Sequence, residues 1–208
     1  MNRFKALIVD FGGVLTNPLA AVMRDFCRAE GLADDALDEL FTRDPAGRAV
    51  FAAIERGAIA QSAWEETAAA LLRVPSKDLL RRMLATMCAA PAMLDVVEAA
   101  RQAGYATGCL TNSFGVQPFD PFAPWKLSER FDVVVTSDRE RLRKPDPEIY
   151  QRTLDRLGLP GDACLYLDDF EVNLAPARQL GMTAWLVEEA EIAAAQVAAE
   201  LGLDDGIR

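Results

Sequence analysis

Short apolar runs alternate along this chain with longer stretches of helical period. Ala6-Leu7-Ile8-Val9 is apolar and partly β-branched, and it stops at Asp10 with Gly12-Gly13 beyond. That pattern predicts a buried strand with a turn at its carboxyl end. Asn17-Pro18 predicts a helix start, with Asn as cap and Pro as first helical residue, and the helix runs to about residue 29. From there to about residue 90 the period stays helical, with helices predicted near 34–41 and 47–56. Ser62 and Glu65 form a capping box that opens a third, and Ser76 opens a fourth with Leu79, Leu80, Met83, Leu84 and Met87 on its apolar side. No strand is predicted in this segment, and Trp64, Met83 and Met87 are read as packing between its helices.

After Pro91 the period changes. Strands are predicted at 105–110, 131–135, 163–167 and 182–187, separated by helices at 93–103, 147–157, 173–180 and 188–201. Apolar runs of about five residues alternating with helices of about ten predict repeated βαβ units around a parallel sheet. The expected fold class is therefore α/β, a Rossmann-like parallel sheet with an inserted all-helical cap. Residues 1–16 and 91–208 make the core domain, and 17–90 make the cap.

Composition narrows the function. Of 208 residues, 51% are hydrophobic and 26% charged, an ordinary soluble balance. Lys and Arg number 22 against 32 Asp and Glu, a formal charge of -10, which speaks against a general nucleic-acid binder and a polybasic membrane anchor. Arg3 and Lys5 precede only a short apolar run, so no leader is expected, and no apolar stretch is long enough to span a bilayer. The expected location is the cytoplasm. The chain has no histidine, which removes imidazole acid/base chemistry, Ser-His-Asp and Cys-His sites, and imidazole-bound zinc. Cys27, Cys88, Cys109 and Cys164 form no CxxC pair, and Cys109 and Cys164 lie in apolar runs as small buried hydrophobes. Gly12-Gly13 lacks the spacing of a Walker or dinucleotide loop.

The candidate chemistry lies at strand ends. Asp10, Thr111-Asn112, Asp168-Asp169 and the 137–144 segment all follow predicted strands, and ligands of open parallel sheets bind outside those ends. Three carboxylates brought together repel one another unless a cation sits among them, and oxygen ligands with a phosphate nearby suit Mg²⁺. Lys144 would offset phosphate charge as a point charge, and Thr111 would donate to a phosphoryl oxygen. Asn112 would hold a ligand or orient a neighbour.

Four segments together resemble the haloacid dehalogenase-like hydrolase superfamily. Asp10-Phe11-Gly12-Gly13-Val14-Leu15-Thr16 resembles its nucleophile loop, and Leu110-Thr111-Asn112-Ser113 its second motif. Arg143-Lys144-Pro145-Asp146-Pro147-Glu148-Ile149-Tyr150 resembles the third, and Leu167-Asp168-Asp169-Phe170-Glu171-Val172-Asn173 the acidic fourth. The order and the helical insert match the branch holding the phosphatase domain of soluble epoxide hydrolase and small sugar-phosphate phosphatases. The resemblance implies a Mg²⁺-dependent phosphatase of a small phosphorylated metabolite. Asp10 would be the nucleophile, and Thr111 and Lys144 would clamp the phosphoryl group. Asp10, the carbonyl of Gly12, Asp168 and Asp169 would surround the metal. One position departs from the pattern. Family phosphatases usually carry an acid/base Asp where this chain has Gly12, which keeps the carbonyl and lacks the proton relay. Glu171 or a cap residue is a candidate substitute. The alternative is a family member with degenerate or redirected activity that binds or regulates. A 2-haloacid dehalogenase is a third reading, opposed by the Asp168-Asp169 pair.

Overall fold

The computed structural model describes residues 3–203. Five strands form one parallel sheet in the order β3-β2-β1-β4-β5. They are β1 (Ala6–Val9), β2 (Ala106–Thr111), β3 (Val133–Thr136), β4 (Cys164–Asp168) and β5 (Thr183–Leu186). The helices are α1 (Leu19–Ala29), α2 (Ala36–Asp38), α3 (Pro45–Glu55), α4 (Gln61–Leu72), α5 (Leu79–Met83) and α6 (Pro91–Gln102). They continue as α7 (Leu127–Arg130), α8 (Ser137–Glu140), α9 (Pro147–Leu157), α10 (Glu171–Gln179) and α11 (Ala190–Leu201).

The central strand shows why the apolar runs are continuous rather than alternating. Leu7 and Val9 of β1 face a core built with Val96 and Val97 of α6 and Val197 of α11. Ala6 and Ile8 face the opposite core, with Ile149 and Leu154 of α9 and Leu174 of α10. A parallel strand covered on both faces must be apolar on both. β1 lies between β2 and β4, with Val9 level with Cys109 and Leu167. The strand order reverses there, so the carboxyl ends of β1, β2 and β4 open into the switch-point crevice.

Residues 17–90 are helix and turn apart from one bridge residue, Ala89, and they have their own apolar core around Trp64, Leu79, Leu80 and Met83. The two chain crossings into this insert run side by side. Thr16 and Ala89 form an antiparallel bridge, and Asn17 donates to the Thr86 carbonyl while accepting from the Cys88 N–H. Asn17 is thus a clasp between the crossings and not the helix cap expected from Asn17-Pro18.

Three further local expectations are corrected. The predicted helix at 34–41 is broken into α2 and a wide π-type turn, Glu39–Arg43, because Pro45 holds Asp44 extended and the Asp44 side chain caps α3 from the Gly47 N–H. The Ser62/Glu65 box does not form. α4 begins before Ser62, and Glu65 turns inward to accept from the Leu80 N–H at 2.9 Å. Ser76 lies outside α5, which is a short helix, and Met87 packs against the sheet-side core instead.

The insert is fastened to the sheet domain through Gln61. Its buried amide accepts from the Phe119 N–H at 2.9 Å and donates toward the Phe119 and Phe114 carbonyls. Phe114 and Phe119 in turn pack onto the insert's core. Gln61→Leu strips partners from half-buried backbone groups, which are worth up to about 1–3 kcal/mol each when fully buried. Its urea unfolding midpoint is expected to fall by the equivalent of about 2 kcal/mol. An unchanged midpoint would show that the loop repacks without the clasp.

Candidate active site

Lys144 is the centre of the crevice. Its side chain is 1% exposed, and its Nζ lies 2.9 Å from Asp10 Oδ1 and 2.6 Å from Asp168 Oδ2. The backbone brings it there because Asn112, just beyond β2, pairs with it as a strand would. The Asn112 Oδ1 accepts from the Lys144 N–H at 2.8 Å, and its Nδ2 donates to the Lys144 carbonyl at 3.2 Å. Burial alone would strip the ammonium of its proton, but the two carboxylates hold its pKa above the ordinary value.

The carboxylates differ sharply. Asp168 Oδ2 takes Lys144 and the Tyr166 hydroxyl, and its Oδ1 takes the Phe170 N–H and the Asn173 Nδ2, both at 2.9 Å. Burial opposes its charge, yet these donors keep its pKa below the ordinary value. Asp10 accepts from its neighbour Phe11 N–H. Burial raises its pKa, with Asp168 adding to the rise and Lys144 opposing it. Asp169 has no such support. Its Oδ1 is buried without a hydrogen-bond partner, and burial beside Asp10 and Asp168 pushes its pKa up to about 8.

Oxygens of Asp10, Asp168 and Asp169 lie within 4.8 Å of one another. Three carboxylates this close, one with an unpaired buried oxygen, are a donor set that suits a hard divalent cation. Gly13 makes the approach possible. Its φ is +78°, and a Cβ there would stand 2.1 Å from Asp169 Oδ2. Its N–H is turned to the Thr16 hydroxyl at 2.9 Å.

The other expected site residues are also placed here. Thr111 ends β2, buried beside Thr136 of β3, and its hydroxyl donates to the Asn112 carbonyl. Gly12 is not in the left-handed region, and a Cβ on it would lie 2.6 Å from the Leu19 Cδ1 of α1. The space over Gly12 is therefore taken by an apolar side chain from the insert. Glu171 is solvent-exposed and paired with Arg178, which leaves it away from the crevice chemistry.

The family model for haloacid dehalogenase-like hydrolases matches residues 4–181. The chain belongs to that family. Porcine bifunctional epoxide hydrolase 2 is 28% identical over 213 residues, spanning 91% of this chain and 37% of the relative. A phosphatase of Mycobacterium tuberculosis is 37% identical over 93 residues, 44% of this chain and 43% of the relative. The chain spans less than half the length of the curated relatives it matches. A family enzyme from Bacteroides thetaiotaomicron, solved with magnesium and inorganic phosphate, superposes with a TM-score of 0.67. It is 21% identical, the match covers 88% of this chain and 93% of that one, and it shows the shared fold. No helix among the described residues is long and apolar enough to cross a membrane.

Sequence reasoning missed three residues at the site of this hydrolase. Tyr166 sits two positions before Asp168 on β4 and so shares its face, a signal readable from strand alternation. Asn173 was legible only as part of a motif. Glu55 closes α3 at the edge of the crevice with its Oε2 2.9 Å from Arg143 Nε, and nothing local in the chain marks it.

The raised carboxylates carry a pH consequence for the cation-free protein. Asp169 moves from an ordinary 3.8 to about 8 on folding, so the folded state holds its proton more tightly. Its contribution is fully present below 3.8 and is lost as pH rises through about 8. In excess chelator, thermal stability should therefore decline over that window. Added Mg²⁺ should restore most at the alkaline end, by about 2.7 kcal/mol at a hundred times its Kd. A Mg²⁺ shift that survives in Asp169→Asn would place the cation elsewhere.

Proposed function

We propose that this hydrolase is a Mg²⁺-dependent phosphatase of a small phosphate monoester, working through an aspartyl phosphate on Asp10. The observation that carries the reading is the convergence of Asp10, Asp168 and the unsatisfied Asp169 beside the buried ammonium of Lys144. The cation would be held by Asp10, Asp169 and the Gly12 carbonyl. Asp168, which already accepts from four donors, would act through water and by anchoring Lys144. When bound, the cation supplies positive charge that neutralises the carboxylates and draws in a phosphate.

The chain's own groups then have distinct work. One oxygen of Asp10 accepts from the Phe11 N–H and Lys144, which aims the other at phosphorus. Lys144 and the Thr111 hydroxyl face the phosphoryl oxygens as charge develops on them, the Thr111 hydroxyl turning from the Asn112 carbonyl to do so. Asn112 fixes the Lys144 backbone, so the ammonium needs no reorganisation during reaction. The insert, acting as a cap, covers the crevice from the Gly12 side through Leu19 and excludes bulk water. The dehalogenase reading gains nothing from a cation-type carboxylate cluster, and the small-ester reading fits a crevice closed by side chains of an insert.

Asp10→Asn should lower phosphate release from 4-nitrophenyl phosphate by about 10³-fold or more while the far-ultraviolet circular dichroism stays unchanged, because an amide is no nucleophile. Chelator should silence the wild type, and Mg²⁺ should restore it. Full turnover by folded Asp10→Asn, or by metal-free wild type, would defeat the reading.

A further inference from the structure

Glycine at residue 12 leaves the reaction without the usual proton carrier, and Leu19 occupies the space a longer residue 12 would use. Proton transfer to a leaving group contributes about 10²–10⁴-fold, so the chain needs another donor. Candidates are few. Tyr166 donates to Asp168, and burial drives its pKa far above the ordinary value. Glu171 is exposed and salt-bridged. Glu65 is committed to the Leu80 N–H inside the insert. Asp168 is saturated with donors, and Asp169 belongs to the cation site.

Glu55 differs from all of these. It is a buried carboxyl carried by the insert, at the end of α3 that packs on α8 of the sheet domain. Arg143 Nε lies 2.9 Å from its Oε2, but that N–H is donated to the Lys144 carbonyl, so the Glu55 oxygen keeps no hydrogen-bond donor. The Asn112 amide is near enough to favour its charged form. Asn112 in turn holds Lys144, whose ammonium touches Asp10. The turn after Glu55 is pinned in place. Arg56 pairs with Asp146 at 3.0 Å, Arg141 donates to the Gly57 carbonyl, and Gly57 packs against the Asp138 carbonyl too closely for any Cβ.

Resting on the phosphatase reading, we propose that Glu55 is the proton donor to the leaving group and the base for the hydrolytic water. Asp10 attacks phosphorus, the bond from phosphorus to the ester oxygen breaks, and that oxygen takes its electron pair and the Glu55 proton to leave as an alcohol. The Glu55 carboxylate then takes a proton from water as its oxygen attacks the aspartyl phosphate. The bond from phosphorus to Asp10 breaks, releasing phosphate and returning both carboxyl groups to their starting states. The ionisation suits both halves. Burial pushes Glu55 up to about 7 against the pull of Arg143, Lys144, Asn112 and Arg56, so acid and base forms are both accessible near neutrality.

The test compares 4-nitrophenyl phosphate, a good leaving group, with phenyl phosphate, a poor one, in the full chain with Mg²⁺. Glu55→Gln should lower kcat/KM for phenyl phosphate by about 10²-fold or more, and for the nitrophenyl ester by much less. The wild-type profile for phenyl phosphate should fall as pH rises through about 7, and this limb should vanish in Glu55→Gln. The wild-type profiles alone decide the matter if Glu55→Gln fails to fold: a limb of equal depth for both esters would overturn the proposal. So would an equal loss on both esters in the folded variant, which marks Glu55 as a fastening for the insert. Wild type inert toward both esters, with or without Mg²⁺, would instead remove the phosphatase reading itself.

Discussion

The contact on which the rest depends is a buried ammonium shared by two carboxylates. Lys144 reaches Asp10 at the end of β1 and Asp168 at the end of β4, and all three are almost wholly removed from water. Taking the ammonium away leaves two buried carboxylates facing each other without compensation, which typically costs about 3–5 kcal/mol. The sheet supplies the register that makes the contact possible, since Val9 lies level with Leu167 and the chain advances one residue to each acid. Tyr166 and Asn173 complete the shell of Asp168. That shell leaves Asp169 as the carboxylate with free acceptor capacity.

A second constraint is the closeness of the insert to the nucleophile loop. Gly13 lets Asp169 approach, and Gly12 lets Leu19 approach, but the two glycines act differently. Gly13 is required by its backbone conformation and by a carboxylate 2.1 Å from any Cβ. Gly12 is required only by the end of a flexible leucine. The loop is therefore intolerant at one glycine and adaptable at the next. Leu19 thus links the helical insert to the identity of residue 12, and with it to the question of which group moves protons.

The central strands were legible because they are buried on both faces, and an unbroken apolar run ending in a polar group stands out against solvent-facing helices. The acids at the strand ends and Asn112 were legible for the same reason, as polar groups where the pattern is apolar, whereas Lys144 lies in a polar run and was legible only through its motif and its place after a strand. Helix starts inside the insert were less legible. Asn17, Ser62 and Glu65 all carry capping chemistry, yet Asn17 and Glu65 satisfy distant backbone groups at Cys88 and Leu80. A local cap signal is only one bidder for a side chain, and tertiary partners were better placed. Glu55 was invisible for a related reason. At the end of an amphipathic helix it reads as a solvated acid, yet in the fold it is buried against Arg143, with the next turn docked on α8 at Gly57.

Electrostatics ties these parts together. The whole chain is acidic, with a formal charge of -10, and the crevice is acidic too when all its groups ionise. Three carboxylates face one ammonium, which is an unfavourable setting for a phosphate. The protein relieves this without a cation by keeping a proton on Asp169, whose pKa of about 8 reflects burial beside its neighbours. A divalent cation bound among these carboxylates would compete with that proton for the same oxygens. A cation that displaced the proton would turn the crevice from one that repels an anion into one that accepts it, and cation binding and anion binding would then be linked and mutually reinforcing. Glu55 lies outside this exchange, held by Arg143 and the insert rather than by the acidic cluster. On the proposed role, its proton would stay when a cation displaced the one on Asp169.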